Sequence, residues 1–205
     1  MKNKKPQDDL FDKLSTTSLN KFLGQLMPGL TAKVFRTYNA STTLQKQLKE
    51  LTVDTDDIHN KLLSYNRANR SVAVLCNHQR AIPKTFEKSM ENLNEKIKSK
   101  KEEFKNLRNT IIQLKSDNAP QQKIESMKNK FKKLKESLRK LKISVTDKEE
   151  NKQIALGTSK LNYLDPRISV GWCLRTGVPI EKIYNKTQRD KFQWAIDMAD
   201  QDFEF

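Results

Sequence analysis

Two apolar stripes at alternating four- and three-residue spacing occupy the middle of this chain, and they leave its fold few options. The first is Phe86, Met90, Leu93, Ile97, Phe104, Leu107, Ile111 and Leu114, with one lapse at Lys100. The second is Ile124, Met127, Phe131, Leu134, Leu138, Leu141 and Val145. Heptad spacing keeps one face of a helix apolar, so each stripe predicts a long helix that must bury that face against another. Between them lies Ser116-Asp117-Asn118-Ala119-Pro120. Periodicity alone serves a dimeric coiled coil as well as an intramolecular hairpin. Pro120 tips the choice, because in the middle of a continuous helix it would remove a backbone donor and clash with the preceding turn. The expectation is an antiparallel coiled-coil hairpin, with arms of about 35–45 Å at roughly 1.5 Å per residue.

The flanking regions read as shorter helices. Leu19, Phe22, Leu23 and Leu26 share a helical face that Pro28-Gly29 ends. Residues 30–38 and 42–51 predict two further short helices, with Asn39 or Ser41 suited to cap the second. After a polar turn at Asp54–Asp57, a longer helix is expected from about Lys61 to Ile82, ended by Pro83. Thr146-Asp147-Lys148-Glu149 has the capping-box pattern of a new helix, and Gly157 is placed to stop it. Asp165-Pro166 opens the next helix, carrying Ile168, Val170, Trp172 and Cys173. Pro179 starts a short one, and Thr187 caps a last helix with Phe192, Ala195, Ile196 and Ala199 facing inward. No segment alternates with period two over the length of a strand. The fold class is therefore all-α, a compact helical domain with a protruding hairpin.

Charge narrows the partners. The 205 residues hold 40 Lys and Arg against 25 Asp and Glu, a net charge of +15. Residues 84–142 alone hold 18 basic and 8 acidic residues, so most of that excess sits on the hairpin. A cation of this size favours a polyanion, since each neutralised phosphate releases condensed counterions. The longest apolar run, Val72–Cys76, is far short of the roughly 20 residues of a spanning helix, so no membrane is expected. Five scattered glycines form no phosphate-cradling loop, which argues against ATP. His59 and His78 lack partners at metal-ligand spacing, and no metal or cofactor is expected. Cys76 and Cys173 lie among apolar residues, as free buried thiols would.

Four tyrosines, at 38, 65, 163 and 184, are by default amphipathic packing residues. Tyr163 differs in lying at a polar-flanked junction between two helices, where a side chain is presented outward. A phenol with an ordinary pKa of about 10 attacks a phosphodiester only with cations beside it. Arg36 has the fork for two phosphate oxygens, although a lone arginine more often pairs with a carboxylate. His78 read alone has the commoner role of a satisfied histidine at the end of an apolar helix.

Three segments choose among these readings by resemblance. Ser159-Lys160-Leu161-Asn162-Tyr163-Leu164-Asp165-Pro166-Arg167 resembles the active-site tyrosine segment of the eukaryotic type IB DNA topoisomerases. Val34-Phe35-Arg36-Thr37-Tyr38-Asn39-Ala40-Ser41 and Leu75-Cys76-Asn77-His78-Gln79-Arg80 resemble that family's arginine and histidine segments. The resemblance runs over nearly the whole chain. It implies Tyr163 as nucleophile, Arg36 as stabiliser of the pentavalent transition state and His78 as hydrogen-bond donor to a non-bridging oxygen. Arg80 and Lys84 would contact the DNA backbone, and Asn162 would help to shape the site. It further implies that residues 1–83 are the end of a catalytic core, 84–145 a basic coiled-coil linker and 146–205 a tyrosine-bearing C-terminal domain. The activity implied is relaxation of double-stranded DNA through a 3′-phosphotyrosyl intermediate, without ATP, in the nucleus or alternatively the mitochondrion. The family's second arginine, its general-acid lysine and its cap region would precede Met1, so the chain is expected to be a fragment that needs them.

Two other readings compete. A tyrosine recombinase would place an arginine three residues after the histidine, where Ala81 stands here. A non-catalytic basic coiled-coil protein would bind nucleic acid through the hairpin, with no dependence on Tyr163 or Arg36.

Overall fold

The computed structural model describes residues 4–205. Those residues form nine α-helices and one short 3-10 turn and no strand, the all-α class expected. In chain order they are α1 (Thr16–Leu26), α2 (Ala32–Leu51), α3 (Ile58–Leu75), α4 (Phe86–Ser116), α5 (Gln121–Glu150), α6 (Leu156–Asn162), α7 (Pro166–Thr176), the turn Ile180–Lys182, α8 (Lys186–Lys191) and α9 (Gln193–Met198).

The core is built where α2, α3 and α7 meet. Ala40, Leu44 and Leu48 line one face of α2 at four-residue spacing, and Tyr65, Ala68, Val72 and Cys76 oppose them from α3. From α7, Ile168, Trp172 and Cys173 close the cluster, with Leu164, Val178, Ile183, Tyr184 and Phe192 around them. Trp172 is buried because its one polar atom is satisfied: Nε1 donates to Thr52 Oγ1 at 2.9 Å. Tyr65 packs tilted against the indole, with ring centroids 5.2 Å apart, and shares a 2.7 Å hydrogen bond with Ser169. Both cysteines are free and buried, as expected.

Helices α4 and α5 pack along one another, joined by Asp117–Pro120, with Phe104 stacked on Phe131 at 4.2 Å. At about 1.5 Å per residue, 31 and 30 residues make arms of about 45 Å. The turn is a complete Schellman motif. Asn118 takes a left-handed φ of 50°, its N–H donates to Lys115, and Ala119 N–H donates to Leu114. The hairpin's base is tied to α3: Asn66 donates to Asp147 at 2.9 Å, Arg67 pairs with Glu150, and Arg70 Nε donates to the Glu150 carbonyl at 2.8 Å. Burial, more than any neighbour, pushes the Asp147 carboxyl up, while Arg67 holds Glu150 down.

Four local expectations are corrected. Residues 30–38 and 42–51 are not two helices: α2 runs unbroken through Asn39 and Ser41. Asn39 lies inside that helix and Ser41 turns its hydroxyl away to accept Asp165 N–H at 3.0 Å, so neither caps a helix. The third helix stops at Leu75, seven residues before Ile82, at a second Schellman motif. Asn77 has φ 56°, its N–H reaches Val74, and His78 N–H reaches Ala73. Thr146-Asp147-Lys148-Glu149 lies inside α5, where Thr146 bonds back to Lys142 and Asp147 serves Asn66 and Asn151. Gly157 accordingly sits within α6 rather than ending a helix. At the C-terminal end Asn185, not Thr187, is the cap, in a capping box with Gln188. The inward face is as expected, with Phe192 and Ala195 buried and Ile196 and Ala199 half-buried.

The C-terminal tail lies over Gly171 on α7. A Cβ at that position would meet the Asp200 carbonyl at 2.9 Å and Phe203 Cβ at 3.3 Å. Arg167 covers the Phe203 ring at 4.6 Å and Arg175 donates to Gln201 at 3.0 Å, so the tail cannot slide away without losing both. Gly171→Ala is expected to destabilise the protein by about 1–3 kcal/mol despite its gain in helix propensity, because overpacking outweighs the latter. Thermal unfolding measures it, and a raised Tm would show that the tail contributes nothing there.

Candidate active site

Three separate elements bring their side chains to one place. α2 carries Lys33 and Arg36, spaced three apart and so on one face of its first turns. The Schellman turn after α3 reverses the chain and delivers His78. An isolated antiparallel bridge, Gln79 with Ile154, then holds the segment, with Ala155 N–H donating to the His78 carbonyl and Arg80 N–H to the Gln153 carbonyl, each at 2.9 Å. The short α6 presents Ser159 and Tyr163 four residues apart on one face, Tyr163 being its C-cap. Asp165 caps α7 by accepting Arg167 N–H at 2.9 Å, and Ser41 of α2 clamps that junction through Asp165 N–H. Tyr163 is thus fixed between two helix ends that are bonded to α2.

His78 stacks on the Tyr163 ring with centroids 5.5 Å apart and planes 24° apart. The Arg36 guanidinium lies 5.3 Å from the centroid of the same ring, and Lys33 Nζ 5.8 Å. The His78 Nδ1 is 2.6 Å from Ser159 Oγ. Burial first, and then the charge of Arg36, lower the pKa of His78, which favours neutral imidazole. Burial pushes the Cys76 thiol up, partly offset by Arg36 and Ser159. The result is a half-buried phenol ring under two cations, with a neutral imidazole against it. Such a set can hold an anion in line with the phenol oxygen and stabilise charge as it develops. Among the described residues, no group of three or more His, Cys, Asp or Glu is arranged to hold a metal ion. No described helix is long and apolar enough to cross a membrane.

Tyr163, Arg36 and His78 are therefore brought together across 127 positions of chain. Asn162, Arg80 and Lys84 are not part of this cluster. The Asn162 amide turns back to the Thr158 carbonyl of its own helix at 2.9 Å. Arg80 is exposed and borders a cleft of about 460 Å³ at the hairpin base with Lys148 and Lys152, and Lys84 is exposed nearby in sequence. Lys33 and Ser159 were not expected. Their signal was spacing: Lys33 is three residues before Arg36, and Ser159 four before Tyr163.

An all-α domain thus presents tyrosine, histidine and arginine to one point, with a long basic helical hairpin joined to it. Residues 1–111 match the eukaryotic DNA topoisomerase I catalytic core, and residues 135–205 match the C-terminal topoisomerase domain. The chain belongs to the eukaryotic DNA topoisomerase I family. It is 64% identical over 211 aligned positions to DNA topoisomerase 1 of Homo sapiens, covering 100% of this chain and 28% of that protein. Against DNA topoisomerase 1 of Mus musculus the identity is 63%, with the same coverage. Against the Homo sapiens protein named DNA topoisomerase I, mitochondrial, it is 60%, over 100% of this chain and 35% of that protein. The chain thus spans about a third or less of the length of these relatives.

Proposed function

We propose that this chain is the tyrosine-bearing part of an enzyme that relaxes supercoiled double-stranded DNA. The observation that carries the reading is the convergence of Arg36 and His78 on Tyr163. In the proposed reaction the Tyr163 oxygen bonds to a backbone phosphorus and the bond to the 5′ oxygen breaks, leaving a 3′-phosphotyrosyl link and a free 5′-hydroxyl. Once the duplex has turned, the 5′-hydroxyl attacks the same phosphorus and Tyr163 departs with its proton restored. One ester is exchanged for another in each direction, so no nucleotide is consumed. Arg36 holds two non-bridging oxygens and offsets the charge that accumulates on them. His78 donates to one of these oxygens.

Residues 1–83 then form the end of the catalytic core, 84–145 the basic coiled-coil linker and 146–205 the C-terminal domain. Asn162, Arg80 and Lys84 serve the surrounding DNA rather than the reacting phosphate, Arg80 and Lys84 as backbone contacts. The proton for the departing 5′ oxygen comes from the upstream region of the same enzyme, together with a second arginine. The relatives' length, about three times that of this chain, supports that division. Localisation follows the parent enzyme, in the nucleus or alternatively the mitochondrion; a relative named mitochondrial matches at 60%, close to the 64% of DNA topoisomerase 1.

The test is supercoiled plasmid without ATP or metal, incubated with the chain alone and with a separately expressed upstream region. Relaxation only in the mixture is expected, because general-acid catalysis alone is worth about 10²–10⁴ in rate. Binding without relaxation in either tube would favour a basic hairpin that only holds DNA.

A further inference from the structure

The proposed reaction leaves two polar side chains of the site unused, Lys33 and Ser159, and of these Ser159 is fully buried. Its hydroxyl lies 2.6 Å from Nδ1 of His78. The Cys76 thiol, kept protonated by burial, also faces it. Nδ1 is the side-chain hydrogen-bond partner of the hydroxyl among the described residues. A neutral imidazole carries a single N–H, and non-bridging phosphate oxygens only accept. For His78 to donate to phosphate as a neutral ring, its N–H must sit on Nε2 and its Nδ1 must accept.

We infer that Ser159 is the positioning residue of His78, donating its hydroxyl to Nδ1 so that the ring is held as the Nε2–H tautomer, flat against Tyr163, with one donor left for a phosphate oxygen. The inference rests on the reading of the site as a strand-cleaving centre. The backbone geometry fits it: α6 presents Ser159 and Tyr163 on one face, and the Gln79–Ile154 bridge sets the His78 main chain between them. Main-chain bonds fix where His78 starts, and Ser159 fixes where its ring points. The charged and titratable groups facing the ring are Arg36 from α2 and Tyr163 from α6. Neither accepts a hydrogen bond from Nδ1, so removing the serine oxygen leaves the tautomer unspecified.

Two measurements test it. In the ¹⁵N-labelled chain, with His59→Gln used to assign the two histidines, His78 is expected at pH 8 to show an unprotonated shift at Nδ1 and a protonated one at Nε2. Ser159→Ala is expected to give averaged shifts of both tautomers. In the chain joined to its upstream region, the same variant should slow single-turnover DNA cleavage about tenfold, the lower end of what partners behind metal-bound histidines contribute. A protonated Nδ1 in the native chain overturns the inference, as does a Ser159→Ala variant with unchanged cleavage. Should Ser159→Ala fail to fold, the native shifts decide alone. A Tyr163→Phe enzyme that still formed a covalent adduct would sink the strand-cleaving reading and leave the tautomer result standing, so the two failures are separable.

Discussion

Tyr163→Phe is expected to abolish the covalent DNA adduct while the protein stays folded and keeps its affinity for DNA. The substitution removes one oxygen and nothing else the structure uses. The ring that His78 stacks on at 5.5 Å and that Arg36 covers at 5.3 Å remains, and so does the α6 C-cap hydrogen bond from the Tyr163 N–H to the Ser159 carbonyl at 2.9 Å. The half-buried side chain loses no packing against the core. Loss of a nucleophile from a covalent route costs on the order of 10⁶ in rate in other systems, and no neighbouring group here replaces it. Tyr38 and Tyr65 are no substitutes: Tyr38 packs against Phe205 and Tyr65 is buried against Trp172. The measurement is denaturant-trapped adduct on the enzyme joined to its upstream region, with DNA affinity measured alongside. Undiminished adduct would remove Tyr163 from the mechanism. Loss of affinity in parallel would mean that the phenol oxygen serves binding.

How far such a site was legible in the sequence depends on how local each signal is. The heptad stripes and the turn at Ser116–Pro120 were readable because a helix face and a proline that interrupts it are written within a few residues of each other. Asp165-Pro166 was readable for the same reason. Ser41 was misread as a cap because its actual partner, Asp165 N–H, is 124 positions away. The capping-box pattern at Thr146 misled likewise, since Asp147 spends its carboxylate on Asn66, 81 positions away. A polar residue inside a helix looks like a boundary until its distant partner is known. Arg36, His78 and Tyr163 were found by resemblance to a family, not by physics, because an arginine, a histidine and a tyrosine each have a commoner structural role. Lys33 and Ser159 were missed because a spacing of three or four from Arg36 or Tyr163 is too common to single a residue out, and the Ser159–His78 bond spans 81 positions.

Arg36 separates charge from geometry, and its two replacements are expected to behave differently. Arg36→Ala should slow cleavage by about 10³, the upper end of the cost of removing one preorganised donor, since the guanidinium supplies two donors and a full charge. Arg36→Lys keeps the charge over Tyr163 but not the planar fork, so it should recover only a small part of that loss. His78 reports the charge independently. In the native protein burial and then Arg36 hold its pKa below the ordinary value, so neutral imidazole predominates at neutral pH. Without the guanidinium charge the His78 pKa rises toward its usual range, and protonated imidazole persists to higher pH in Arg36→Ala. In Arg36→Lys it stays low. NMR titration of His78 in each variant, beside single-turnover cleavage, therefore gives two readouts that move apart: the alanine variant alters both, the lysine variant chiefly the rate. A lysine variant cleaving at the native rate would show that a point charge suffices and that the bidentate contact carries no weight. An alanine variant that left the His78 titration unchanged would mean that burial alone holds the imidazole pKa down.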